Sequence, residues 1–449
     1  MSAILNPTAG AGIAAAPGVG IDAANAAFRK VTWRLIPFLF LCYVLAFLDR
    51  INIGFAQLQM KQDLAFSDVI YGLGAGIFFI GYLLFEVPSN LMLQKVGARK
   101  TILRIMVGWG LVSAATMFVT TPTQFYIARF LLGVFEAGFF PGIILYLTYW
   151  YPSSRRGRII ALFMTATAVA GLVGGPLSGW IMKDMAGVNG WAGWQWMFLL
   201  EGLPSVLLGV VAYFFLTDKP SDAKWLTASE KQILNHELGA DQKKAPATQH
   251  SLRGVFRDPK VYLLAAVYFT ILVGGYALSF WVPTMIRALG VDNVLHIGLY
   301  AAIPYLVAVI AMVWWGRHSD ATLERRWHCV VAMLVCGAAL VLSTLVAGNF
   351  WLSIVLLCFA AAGAAAVTPV FWTIPSAYLT PAAAAAGIAL VSSLGSIAGF
   401  VSPFVIGSIK AATGSLTYAM YFVAAMLVLG AVLILKGVPA KSLQEKAAH

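Results

Sequence analysis

The run Leu35-Ile-Pro-Phe-Leu-Phe-Leu-Cys-Tyr-Val-Leu-Ala-Phe47-Leu48 passes without a charge into Asp49-Arg50-Ile51-Asn52 and continues through Ile53-Gly-Phe-Ala-Gln-Leu58. A helix needs ~20 mostly apolar residues to cross a hydrocarbon core ~30 Å thick. The acid and the guanidinium therefore fall inside a membrane crossing, near its outer third. A charge at bilayer depth costs at least ~2.5–3.5 kcal/mol, and residues retained there usually serve a pathway or a binding site.

The rest of the chain repeats that crossing. Of 449 residues, 60% are hydrophobic and 11% charged, with a mean hydropathy of +0.83; a soluble domain carries roughly 25% charged residues. Too little charge remains to cover a water-exposed surface, so this is a polytopic membrane protein. Apolar segments lie at about 33–58, 70–92, 101–120, 123–148, 158–182 and 194–216, and again at 261–286, 294–315, 328–347, 350–374, 383–410 and 416–436. The expected fold is all-α, with twelve transmembrane helices in two pseudo-symmetric six-helix bundles at 29–216 and 261–436. A disordered cytoplasmic tail (1–28), a cytoplasmic linker (217–260) and a second tail (437–449) complete the organisation. Residues 1–28 have neither the basic start nor the short apolar core of a secretory signal. Within the linker, Lys224-Trp-Leu-Thr227-Ala-Ser229-Glu-Lys carries a helix-start signal, with Thr227 or Ser229 as cap, and reads as a short surface helix.

A formal net charge of +12 would suit a nucleic-acid partner only if it were clustered on one face. Here it marks topology. Of the 30 lysines and arginines, Lys61, Lys183, Arg287 and Lys410 fall on one side, Arg50 and Arg129 fall inside, and the rest lie on the other side. Short cytoplasmic loops retain such residues, so both termini and the linker are expected in the cytoplasm. Cys42, Cys329, Cys336 and Cys358 have no metal or redox spacing and read as small buried side chains. The histidines fall in loops or helix ends and are poor proton carriers for a central site.

Away from the loops, the charged residues are Asp49, Arg50, Glu86, Arg129, Glu136 and Glu201, all in the first half. The second half can offer only polar, aromatic and backbone contacts. At 1.5 Å per residue, Asp49 lies ~9 Å below the outer surface, and Arg129 on the antiparallel fourth segment lies at the same ~9 Å. The two are expected to face each other. Glu136, two turns further along, lies near the midplane with no cation within one turn. Arg50 occupies a different face from Asp49 and has no evident acid of its own, which makes it a carboxylate receptor. The alternative for Arg129 and Glu136 is a purely structural lock between helices.

Gly316-x-x-x-Asp320, followed by Arg325 and Arg326, sits between the eighth and ninth segments, and its counterpart after Asn90 sits between the second and third. In a six-plus-six array this pattern resembles the major facilitator superfamily. Asn90 and Gln94 stand in the first-half loop where glycine and aspartate are usual. Phe47-Leu-Asp49-Arg50-Ile-Asn52, Glu86-Val-Pro88-Ser-Asn90, Arg129-x-x-x-Gly133-x-x-Glu136-Ala-Gly138 and Phe371-Trp372-x-x-Pro375 together resemble its anion:cation symporter branch. The resemblance implies that Arg50 holds a substrate carboxylate, that Asp49 and Glu136 are protonation sites coupled through Arg129, and that Asp320, Arg325 and Arg326 gate. It also implies a cavity lined by Phe47, Tyr82, Thr167, Trp372 and Ser392. Tyr82 and Trp372 equally suit packing or interfacial roles.

Sugar-acid relatives tend to have tyrosine, glutamine and asparagine where this chain has Phe47, Thr167 and Ser392. These changes remove or shorten hydrogen-bonding reach, which favours a small dicarboxylate or an aromatic acid over a polyol. The expected function is proton-coupled symport of an organic carboxylate across a bacterial inner membrane. The proton is the coupling ion, and no cofactor or metal is expected. The partners expected are the small anion, protons and membrane lipid, with no nucleic acid and with the chain acting as a monomer. A sugar-acid symporter is one alternative. A proton-coupled drug or metabolite exporter is another, because Gly171-x-x-x-Gly175-Pro176-x-x-Gly179 partly resembles a drug-antiporter motif. No nucleophile, metal cluster or nucleotide loop suggests an enzyme.

Overall fold

The computed structural model describes residues 21–244, 257–322, 324–346, 348–378 and 381–438. The expected tail residues 1–20, the linker stretch 245–256, and 439–449 lie outside the described residues, as do the side chains of Ala382 to Ala386. Among the described residues, twelve helices are long and apolar enough to cross a membrane. They are α1 (Asp22–Asp63), α2 (Asp68–Val96), α3 (Ala98–Phe118), α4 (Pro122–Thr148), α5 (Ser154–Asp184), α6 (Gly193–Phe215), α7 (Pro259–Ala288), α8 (Val294–Thr322), α9 (Arg326–Leu345), α10 (Phe350–Pro375), α11 (Gly387–Thr413) and α12 (Thr417–Gly437). A linker helix, Ala228–Lys244, lies between α6 and α7. Its Glu230 receives the Lys30 ammonium of α1 at 2.9 Å.

Helix α1 begins earlier than expected and corrects the tail boundary at 28. Asp22 favours a helix N-terminus by its charge, and the alanines after it have high helix propensity. Phe28 is buried and lies under the Arg155 guanidinium, 4.6 Å from its ring centre. Helix α4 starts on a capping box, in which Gln124 N donates to Thr121 Oγ1. It breaks after Glu136, where Gly138 takes a left-handed φ of 84°. A β-carbon there would sit 2.5 Å from the side chain of Ser89, so only glycine allows both this backbone turn and the contact with α2.

Helices α1–α6 and α7–α12 form two six-helix bundles that meet along α2 with α11 and α5 with α8. At several glycines on these seams backbone meets backbone. A β-carbon on Gly72 would come 2.4 Å from the Pro403 carbonyl oxygen, and one on Gly298 would come 2.1 Å from that of Gly175. Polar contacts gather at the end opposite the termini. Tyr71 Oη and Gln57 Nε2 donate to the Phe280 carbonyl at 2.9 and 3.0 Å, and Lys410 Nζ reaches Asp68 at 2.8 Å. Lys61 bonds the same Asp68 oxygen, and Arg287 donates to the Leu58 carbonyl. The halves are joined at that end.

Candidate functional site

Helix α1 turns about 100° per residue, so Asp49 and Arg50 point to different neighbours. Arg50 faces α2 and α4. Its Nε donates to Glu136 Oε1 at 3.0 Å and its Nη2 bonds the same oxygen, while its guanidinium carbon lies 5.5 Å from the ring centre of Phe78 and 5.4 Å from that of Tyr82. Aromatic faces attract a guanidinium by their quadrupole, so α2 supplies a cushion and α4 the counter-ion. The Glu136 side chain is 1% exposed and that of Arg50 is 16% exposed. Glu136 Oε2 has no hydrogen-bond partner among the described residues. The pair is therefore one-sided: both donors converge on one oxygen, and the cation retains an accessible edge.

Asp49 is fully buried on the other side of α1, against α3 and α6. Ser113 Oγ donates to Oδ1 at 2.6 Å, and Trp109 Nε1 and Ser205 Oγ donate to Oδ2 at 3.1 and 3.0 Å. This corrects the expected pairing with Arg129. Equal depth fixes a coordinate along the membrane normal and says nothing about direction around the helix. Arg129 instead packs against α2, where its Nε donates to the Gly74 carbonyl at 3.4 Å and its guanidinium carbon lies 5.2 Å from the centre of the Phe78 ring. Its Nη1 and Nη2 are buried without a hydrogen-bond partner among the described residues. The expectation that Arg50 lacks an acid, and Glu136 a cation, is corrected by the same geometry: each is the other's partner.

The remaining expected site residues are spread over both halves. Tyr82 borders Arg50, and Phe47 is half-buried on α1. Thr167 Oγ1 donates back to the Met164 carbonyl of its own helix at 2.9 Å. Trp372 packs edge-on to Tyr268, with ring centres 4.7 Å apart, and the Ser392 carbonyl accepts from Ser396 at 2.8 Å. Asp320, in the last turn of α8, pairs with Arg325 just before α9 at 2.6 Å, while Arg326 donates to the Leu435 carbonyl of α12.

Two features escaped the sequence reading, together with the partners of a third residue. Asp68 bridges the halves through Lys410, which only the fold could reveal. Tyr276 of α7, opposite Arg50, packs edge-on to Phe79 with ring centres 4.7 Å apart; polar aromatics on one face of the seventh segment were the available signal. Glu201 accepts from Asn52 Nδ2 at 3.0 Å and Ser178 Oγ at 2.7 Å, although its sequence position already marked it as an intramembrane acid.

A buried arginine–glutamate pair between the first and fourth helices of a six-plus-six array now has a sequence-wide counterpart: the Major Facilitator Superfamily family model matches residues 39–403 and 293–449. The chain belongs to the major facilitator superfamily. Superfamily members at close range include a protein of Pseudomonas putida provisionally named metabolite transport protein NicT, 50% identical over 93% of this chain and 95% of that one. Another, from Agrobacterium vitis and provisionally named a tartrate transporter, is 49% identical over 91% and 90%. A quinolone resistance transporter of Acinetobacter baumannii is 40% identical over 90% and 93%. These relatives fit the anion:cation symporter branch of the superfamily. Among solved superfamily structures, a bacterial homologue of the human lysosomal transporter Spinster, in an inward-facing and unoccupied conformation, superposes with a TM-score of 0.72 at 16% identity, covering 94% of this chain and 97% of that one. The chain is thus a multi-pass membrane transporter of a small molecule and not an enzyme.

Proposed function

We propose that the protein is a proton-coupled symporter that imports a small organic carboxylate, such as tartrate or an aromatic acid, by alternating access. The observation that carries this reading is the one-sided Arg50–Glu136 pair. A guanidinium that keeps an accessible edge inside a membrane-spanning bundle is a carboxylate receptor, and Glu136 competes with the substrate for it. Protonating Glu136 removes the competing charge and frees Arg50 for the anion. Losing substrate and proton on the far side restores the pair. Asp49, held by three neutral donors, is the second proton site. The family's relatives named for tartrate and metabolite transport agree with an anionic cargo.

The distribution of lysines and arginines supports termini in the cytoplasm of a bacterium and an Asp68–Lys410 contact at the periplasmic end of the inner membrane. On that orientation the conformation described is closed to the periplasm. Midplane binding between the repeats is the usual arrangement for such an architecture. The quinolone-resistance relative favours a second reading, proton-driven export of a drug or metabolite.

Uptake of labelled tartrate, phthalate and sugar acids into proteoliposomes under an inward proton gradient distinguishes the readings. Accumulation of a carboxylate that is lost when both the pH and voltage gradients collapse supports symport. Accumulation that survives the collapse contradicts it, and proton-driven extrusion of a quinolone without carboxylate uptake supports export.

A further inference from the structure

Glu201 takes no part in the mechanism above, yet it is a carboxyl group 3% exposed inside a membrane-spanning bundle. Its two hydrogen bonds come from neutral groups, Ser178 Oγ of α5 at 2.7 Å to Oε1 and Asn52 Nδ2 of α1 at 3.0 Å to Oε2. Helix α6 packs against α3, α1 and α5. Among the described residues the charged group that acts on Glu201 is another acid, Asp49, while α5 presents the Ser178 hydroxyl to Glu201 and α3 presents the Ser113 hydroxyl to Asp49.

The two acids are joined by geometry. Ser205, which donates to Asp49 Oδ2 at 3.0 Å, lies four residues after Glu201 on α6, and Asn52, which donates to Glu201, lies three residues after Asp49 on α1. The carboxyl groups therefore sit one helical turn apart along both helices, bound by the same pair of elements. Two ionised carboxylates so placed, without a cation between them, repel in a low dielectric, and a proton on either relieves both.

Asn52 suits either charge state of its partner. An amide presents a donor in one orientation and an acceptor in the other. Its Oδ1 is buried without a hydrogen-bond partner among the described residues. Ionised Glu201 accepts from Nδ2; protonated Glu201 can donate to Oδ1 after the amide turns over. A site built for one charge state alone would have no use for a reversible neighbour.

We propose that Glu201 is a further proton site of the N-terminal bundle, titrating in concert with Asp49 through the shared α1–α6 seam. It rests on the proton-coupled reading only for its role in transport. No bond beyond O–H forms or breaks: a proton from water occupies one carboxyl group and is returned to water, and its presence on one acid lowers the cost of charge on the other.

The test is pH-difference infrared spectroscopy of the full chain in nanodiscs, with protons as the only ligand, for the wild type, Glu201→Gln, Glu201→Asp and Asp49→Asn. Glutamine keeps the size; its carbonyl can accept from Ser178 and its NH2 can donate to Asn52 Oδ1 once that amide turns over, so a structural role would leave the spectrum unmoved. The expected result is that Glu201→Gln removes one protonated-carboxyl carbonyl band from the pH difference and displaces the titration of a second, the one that Asp49→Asn removes. Glu201→Asp should retain a band at a shifted frequency, and it keeps the test open if the glutamine variant fails to fold. A Glu201→Gln spectrum that superimposes on the wild type overturns the proposal, as does an Asp49 band whose titration ignores the substitution. Gradient-independent carboxylate uptake by the wild type would remove symport and leave the infrared result standing, so the two readings fail separately.

Discussion

Arg50 of α1 donates both Nε and Nη2 to a single oxygen of Glu136 on α4, leaving Oε2 of that carboxylate without a hydrogen-bond partner among the described residues. A two-pronged fork between guanidinium and carboxylate would be the stronger arrangement. The observed pair is one that a second carboxylate can displace, which suits a carrier that must bind and release.

Replacing Arg50 tests the receptor. Lysine keeps the charge and loses the planar fork, so Arg50→Lys should weaken carboxylate binding by ~1.5–3 kcal/mol, roughly tenfold to a hundredfold. Equilibrium binding of labelled tartrate or phthalate to the purified protein measures this. Unchanged affinity in Arg50→Ala would remove Arg50 from the substrate site.

The end opposite the termini should open when its charges are removed. Asp68 holds Lys61 and Lys410 together across the halves, and its side chain is 18% exposed. Asp68→Asn should cost the closed state on the order of 1 kcal/mol, enough to shift the closed-to-open ratio roughly fivefold. Spin-label distances across that end of α2 and α11 should then show a larger open population. Gly298→Ala should act in the same direction, because its methyl group would meet the Gly175 carbonyl.

Within the first bundle, Gly133 lets α4 lie directly on α2: a β-carbon there would stand 2.0 Å from the Phe78 carbonyl oxygen. Gly133→Ala should destabilise the protein by ~1–3 kcal/mol through overpacking. It should also disturb Phe78, which cushions both Arg50 and Arg129. Thermal unfolding in detergent and tartrate affinity should fall together.

The linker offers a pH prediction outside the membrane. The Lys30 ammonium and the backbone around Thr227 hold Glu230 below the usual carboxylate range. A depressed acid contributes stability above its unfolded pKa and loses it as pH falls through the folded value. Docking of Ala228–Lys244 on α1 should therefore hold at neutral pH, weaken only in acid below the ordinary carboxylate range, and weaken also with salt. Distances between labels on α1 and the linker helix check both trends.

Much of this architecture was legible because bilayer physics leaves few choices: apolar length gives the helices, and basic residues give a sidedness. The charged residues of the site were also visible, since an acid or arginine inside an apolar run stands out. Their pairing was not. Depth along a helix follows from residue number, but Asp49 and Arg50 lie about 100° apart on the helix, and only packing against α3, α4 and α6 decides which meets Glu136. The Asp68–Lys410 contact was hidden for a different reason. Lys61, Arg287 and Lys410 are exceptions to the charge bias, yet their use in joining the halves depends on how distant segments meet.

The proton-coupling account turns on Glu136 competing with substrate for Arg50. Tartrate affinity should be measured across pH for the wild type and Glu136→Gln, in detergent, with phthalate as a second ligand. Wild-type affinity should rise on acidification, while the glutamine variant, already without the competing charge, should bind about tenfold more tightly at neutral pH, ~1.4 kcal/mol, with little dependence on pH. A Glu136→Gln variant that binds no more tightly than the wild type and keeps its pH dependence would contradict the account.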